Sequence, residues 1–265
     1  MNIVSSEFNF LKPHNFPNLI RLGSRNDGGY VLPEKILYDS DGLLSFGYGY
    51  NGSFESDYII KTNKNIVIYD HTCDYFSLIK SLLKYFKRFL LFKKRIKDVH
   101  FHYSNLMRHH KFVSSKNVNF FKKKVVKKKE KSIEISVVQI IQELKFKKAI
   151  LKCDIEGSEY DILEDIINNR IKFNCILIEF HQIKNHIEKF KDLIKKLSHY
   201  YAIVHLHGNN HDPLLENINI PSTLEVTFIK KEFIKDNNYI NKFPNKSLDN
   251  PNNPSQKDLE FEFKI

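Results

Sequence analysis

The sequence predicts an α/β fold, a doubly wound and mostly parallel sheet with helices on both faces, and three observations predict it. Short apolar runs alternate along the chain with segments of helical periodicity. One such run, 43–46, leads directly into Gly47-x-Gly49-x-x-Gly52, which is either a plain glycine turn or the kind that cradles a nucleotide where a strand passes into a helix. The 265 residues, 42% of them hydrophobic, suffice for one domain with a sizeable core.

Taken in order, the first two strands fall at 43–46 and 65–70, with Ser53 placed to cap the helix between them. Residues 77–97 read as one amphipathic basic helix. Ile79, Leu82, Leu83, Phe86 and Leu90 share one face of it, and Lys80, Lys84, Lys87 and Arg88 another. The third strand is placed at 98–103 (DVHFHY), and 117–123 (NVNFFKK) is a candidate additional strand. A helix capped by Ser136 follows, then buried strands at 148–155 and 174–180 separated by a helical 158–169. A helix at about 186–198 precedes two closing strands, 201–208 and 222–231, joined by the polar loop 208–221. After Asp236 the composition turns to Asn, Pro and Lys, which predicts an irregular tail with 259–265 as a candidate edge strand. The expected organisation is a single domain, 1–265, carrying an insert at about 76–131 and this tail from about 236.

Cys73, Cys153 and Cys175 are too few and too scattered for a disulfide framework or a zinc cluster, and read as small apolar residues in a reducing cytoplasm. The N-terminus MNIVSSEFNF lacks a basic segment followed by an apolar one, and no run approaches the ~20 apolar residues of a membrane span. A soluble, cytoplasmic protein is expected. The net charge of +11 is concentrated: 76–131 holds 18 Lys and Arg against Asp98 and Glu130, a net of +16, which leaves the rest at −5. This basic insert admits a solvated helix face and loop, a lid binding the diphosphate of an activated sugar or an anionic glycan, or an RNA contact through lysines beside aromatics. Peripheral association of 80–97 with a membrane surface is a further reading. No recognisable RNA-binding module accompanies the patch.

Asp70 ends the second strand, 18 residues beyond Gly52, where a carboxylate takes the ribose hydroxyls of either NAD or S-adenosylmethionine (SAM). Asp154 and Glu156 lie at the carboxyl end of the fourth strand, where ligands meet an open α/β sheet. Strand alternation through 175, 177, 179 and 181 brings Glu179 and His181 out on one side beside them. Asp154, Glu179 and His181 thus form a candidate catalytic cluster, with His181 as general base, its neutral imidazole available near pH 7. The same three suit Mg or Mn. His205 and His207 are alternative bases, or bind substrate hydroxyls with Asn209 and Asn210.

The stretches RLGSRNDGGYVLP, FGYGYNGSFE, IYDHT, LKCDIEGSEYDIL, IEFH and LEVTFI resemble the FkbM-type family of SAM-dependent methyltransferases, over about residues 20–230. The resemblance implies a seven-stranded class I methyltransferase fold that moves a methyl group from SAM to oxygen, commonly on sugars or polyketide-like products. It also implies that Gly47, Tyr48 and Gly49 border the methionine part of SAM, with Glu55 supporting that loop, Asp70 holding the ribose, and Ser104 and Asn105 near adenine. The expected function is O-methylation of a sugar, a nucleotide-activated one for a bacterial surface polysaccharide. An NAD-dependent oxidoreductase and an RNA-binding protein or RNA methyltransferase are the competing readings.

Overall fold

Seven strands form the central sheet of the computed structural model, which describes residues 2–264. Numbered within that sheet they are β1 (Leu43–Phe46), β2 (Ile66–Tyr69), β3 (Val118–Phe121), β4 (Ala149–Cys153), β5 (Phe173–Phe180), β6 (Tyr201–Gly208) and β7 (Leu224–Lys230). Their spatial order is 3-2-1-4-5-7-6, and β7 alone runs antiparallel to its neighbours. Every residue of β1, β4, β5 and β6 is buried, as expected of near-continuous apolar strands covered on both faces. The order reverses between β1 and β4, so a crevice opens beyond their carboxyl ends, where open α/β sheets bind ligands.

Helices α1 (Glu34–Asp39) and α2 (Ser53–Thr62) cover one face, and α5 (Val137–Glu143), α6 (Glu159–Asn168) and α7 (Ile187–Ser198) the other. Between them in sequence, α3 (Tyr75–Leu90) and α4 (Ile96–Val113) form a helical hairpin. An antiparallel hairpin of Leu19–Leu22 and Tyr30–Pro33 lies over the α1–α2 side, and the Thr227 hydroxyl on β7 donates to the Val31 carbonyl at 2.6 Å.

The fold departs from the sequence-based expectations in four places. Residues 98–103 are not a strand but the first half of α4, because Ile96, Val99, Tyr103 and Leu106 recur at helical spacing and Asp98 closes a capping box with Arg95. The third strand of the sheet is instead the candidate at 117–123. The single helix expected at 77–97 is interrupted at Phe92, whose φ of 55° ends α3 before α4 begins. Ser53 is the first helical residue rather than the cap, and its hydroxyl accepts from the Ser24 N–H at 3.0 Å. Ser136 does cap α5, accepting from the Gln139 N–H. The tail strand forms at Phe261–Glu262, but it joins Asn2–Ile3 and Lys242–Phe243 in a separate three-stranded sheet; the last residue of the expected strand, Ile265, lies outside the described residues. All three cysteines are buried and free. Among the described residues no helix is long and apolar enough to cross a membrane.

Candidate functional site

The carboxyl ends of β1, β2 and β4 surround a pocket of about 490 Å³. Gly47, Tyr48, Gly49, Asp70 and Asp154 line it, together with Glu156 and Ser158. The glycine turn owes its shape to positive φ at Gly47 (81°) and Gly49 (57°). A Cβ at Gly47 would strike the Asp154 carbonyl at 1.7 Å, so β1 and β4 are drawn together there. At Gly49 a Cβ would meet nothing within 4 Å. Gly49 therefore presents bare backbone to the pocket.

Asp70 lines the pocket, yet it also builds it. Its Oδ2 accepts the N–H groups of Tyr48 and Gly49 at 2.7 and 2.9 Å, and its Oδ1 those of the Thr72 backbone and hydroxyl, both at 2.6 Å. Burial alone would raise its pKa, but these hydrogen bonds outweigh it and hold the carboxyl below the ordinary carboxylate value. Glu55 sits beneath the loop, fully buried, accepting from the Ser45 hydroxyl at 2.6 Å. Its second partner is Lys152, 3.6 Å away.

Lys152 and Tyr30 were not singled out in the sequence, and both are central. The Lys152 ammonium donates to the Gly47 carbonyl at 2.7 Å and stands 3.8 Å from Asp154. Burial opposes its charge, but Glu55, Asp154 and Glu179 overcome that and raise its pKa. A lysine inside the apolar strand AILKC was the legible signal, since a buried cation requires acidic partners. Tyr30 donates to Asp154 Oδ2 at 2.8 Å and reaches Glu179 Oε2 at 3.4 Å. Burial, then the charges of Asp154, Glu179 and Glu225, push its pKa well up, so it remains a neutral donor.

The cluster at the ends of β4 and β5 forms with one change of membership. Glu156 adopts φ 56° and Gly157 φ 100°, a sharp turn that leaves the Glu156 side chain 86% exposed beside Asp154. His181 lies just behind these carboxylates, its Nε2 3.6 Å from Glu156 and 3.8 Å from Asp154, while its Nδ1 bonds Glu159 at 3.0 Å. Asp154, Glu156 and His181 offer ligand atoms within 4.8 Å of one another, so they are the set able to hold a cation. The expected third ligand, Glu179, turns the other way. It is buried and bonded by Asn209 at 2.7 Å and by Tyr30. Burial, then Asp154 and Glu225, raise its pKa well above the carboxylate range.

His181 also differs from expectation in its charge. Burial favours its neutral form, but Glu159, Glu179 and Asp154 outweigh that and push its pKa up to about 10. Near pH 7 it is an imidazolium, not the free base expected.

The remaining expected residues lie elsewhere. Ser104 and Asn105 sit within α4, Ser104 against His100 and Asn105 in a separate cleft between α3, α4 and Tyr48. They were placed by a strand that is a helix; Lys123, Lys124 and Val125, which follow the true third strand, line the main pocket instead. His205, His207 and Asn209 are buried and none lines the pocket. His205 bonds Asp249 at 3.1 Å, and His207 is held between Glu225 (3.3 Å) and Asp258 (3.2 Å). The C-terminal tail covers them, which composition did not reveal.

The methyltransferase FkbM domain family matches residues 44–204, more than half of the chain. Among solved structures, the fibrillarin/Nop5p complex aligns at 11% identity and TM-score 0.40, covering 72% of each chain. A precorrin-6y C5,15-methyltransferase from Geobacter metallireducens GS-15 aligns at 11% identity and TM-score 0.37, over 74% of this chain and 85% of that one. An rRNA methylase from Streptococcus thermophilus aligns at 9% identity and TM-score 0.37, over 74% and 92% respectively. No curated protein matches.

Proposed function

From the premise that the chain belongs to the FkbM methyltransferase family, and so uses SAM, we propose that it methylates a hydroxyl oxygen of a sugar. The acceptor we favour is a nucleotide-activated sugar for a bacterial surface polysaccharide. The family match sets aside the NAD-dependent reading of the glycine turn. The observation that carries the proposal is the continuity of one pocket, from the bare backbone at Gly49 to the carboxylates of Asp154 and Glu156, with Lys123 and Lys124 in its lining.

The residues present fit SAM: an open glycine cradle, a buried carboxylate at the end of β2, and a pocket of sufficient size. Bound there, SAM supplies an electrophilic methyl group. The chain's part is to align the acceptor and take its proton. Asp154 faces the pocket and is the proposed proton acceptor, oriented by the Tyr30 hydroxyl on one oxygen and by the His181 imidazolium near the other. Glu156 stands at the open side, suited to a sugar hydroxyl. Lys123 and Lys124 add the positive charge that a diphosphate requires.

A second reading is favoured by one observation, the closeness of Asp154, Glu156 and His181. A divalent cation held by Asp154 and Glu156, with His181 giving up its proton to join them, would polarise the acceptor hydroxyl. Turnover that survives a chelator favours the metal-free reading. Turnover lost to the chelator and restored by Mg or Mn favours the cation.

Candidate nucleotide sugars incubated with SAM and the protein should yield a methylated sugar by mass spectrometry. Asp154→Asn should retain SAM affinity by calorimetry and lose about 10²–10⁴-fold in kcat, while His181→Ala, which removes only an orienting group, should lose less. A folded Asp154→Asn protein turning over at the wild-type rate, or methyl transfer to RNA and to no sugar, overturns the reading.

A further inference from the structure

The α3–α4 hairpin is built unlike the rest of the molecule. Its helices span 16 and 18 residues, yet only Leu106 and His109 are buried within them. Apolar side chains that would ordinarily enter a core gather in water at its free end: Leu83, Phe86, Leu90, Leu91, Phe92 and Ile96 are 47–98% exposed, with Phe92 at 98%. Leu83, Phe86 and Leu90 follow helical spacing on α3, and Ile96, Val99 and Tyr103 do so on α4. The two apolar faces meet in an almost wholly apolar groove of about 400 Å³. Exposed apolar surface of this extent marks a docking site.

Charge identifies the occupant. Residues 75–113 contain ten Lys and Arg against Asp98 alone, so this hairpin carries +9 of the chain's net +11. Lys93, Lys94 and Arg95 adjoin Phe92 at the tip. We infer that the hairpin docks on an anionic lipid bilayer, its apolar tip entering the headgroup region and its basic side chains pairing with lipid phosphates. An apolar point inside a basic collar is the pattern of segments that lie in a membrane interface. Neither helix can cross the membrane, which leaves surface seating. A second copy of the chain would oppose one +9 hairpin to another. A nucleic acid would satisfy the lysines and stack on Phe92, but would leave Leu83, Leu90, Leu91 and Ile96 in water.

The full-length protein, sedimented with phosphatidylcholine vesicles and with vesicles also containing phosphatidylglycerol, tests this. Binding is expected to the anionic vesicles and to be at least about tenfold weaker to the zwitterionic ones. Leu91→Asp/Phe92→Asp and Lys93→Glu/Lys94→Glu should each weaken it about tenfold or more, while circular dichroism and SAM affinity stay unchanged. Four results overturn the inference: no preference for anionic vesicles, binding indifferent to the tip variant, homopolymeric RNA bound in preference to vesicles, or a solution dimer that Leu91→Asp/Phe92→Asp dissolves.

Discussion

Two glycines of one turn do different work, and substitution separates them. Gly47 has no room for a side chain against the Asp154 carbonyl, so Gly47→Ala should lower the melting temperature by prising β1 from β4. Gly49 faces the open pocket. Gly49→Val costs about 1–2 kcal/mol for a left-handed backbone, and its side chain occupies ligand space. It should weaken SAM binding about tenfold or more, measured by calorimetry, while the protein remains folded. Equal SAM affinity in folded Gly49→Val would place the cofactor elsewhere. Sequence spacing located both glycines; only the contacts around each distinguish packing from binding. Lys152 shows the converse, a residue legible as an anomaly in its strand whose partners Glu55 and Asp154 become known only in three dimensions.

At the scale of elements, the insert is two parts with different surroundings. The helical hairpin points apolar residues into solvent, whereas the strand β3 and the ribbon that follows it deliver Lys123 and Lys124 to the pocket. Lys122 is instead engaged with Asp74 at 3.0 Å. If the pocket lysines grip an acceptor diphosphate, Lys123→Ala/Lys124→Ala should raise the acceptor KM several-fold, and added salt should mimic the effect by screening. SAM affinity should change little. An acceptor KM indifferent to both would make these lysines a solvated edge. The sequence showed the lysine run but misassigned the element before it, because DVHFHY alternates like a strand while also completing a helical stripe begun at Ile96. Packing against α3 decided for the helix.

Across the whole molecule, the tail and the central sheet are joined by buried charge. In register, Glu179 of β5 faces Glu225 of β7, which faces His207 of β6. Asn252 from the tail donates to Glu225 at 2.9 Å, and Asp258 closes on His207. Burial disfavours the His207 cation, but Glu225 and Asp258 overcome it and push its pKa from 6.5 up to about 10. The native chain therefore keeps a proton that the unfolded chain releases above about pH 6.5. The clamp's stabilisation is full below that pH and is lost as pH rises towards 10. The melting-temperature gap between the wild type and His207→Asn should accordingly shrink between pH 6 and 10; a gap constant across that range would show that His207 is not held as a cation.

What the sequence determined by itself was the doubly wound class, six of the seven central strands at their places, and the Gly47–Gly49, Asp70 and Asp154 positions of the pocket. These rest on local physics: apolar runs that must be covered, glycines that permit positive φ, and carboxylates at strand ends. Tertiary structure alone decided the partners. Glu156 rather than Glu179 joins His181 because a left-handed turn lifts one carboxylate outward, while Tyr30 and Asn209 draw the other inward. His205 and His207 pass from surface candidates to buried clamps because a polar tail folds across them. Charge state follows the same rule, since His181 holds its proton through the field of Glu159, Glu179 and Asp154. Those acids come from three different elements, and a pKa sums the charges that folding brings within a few ångströms, whatever their separation along the chain.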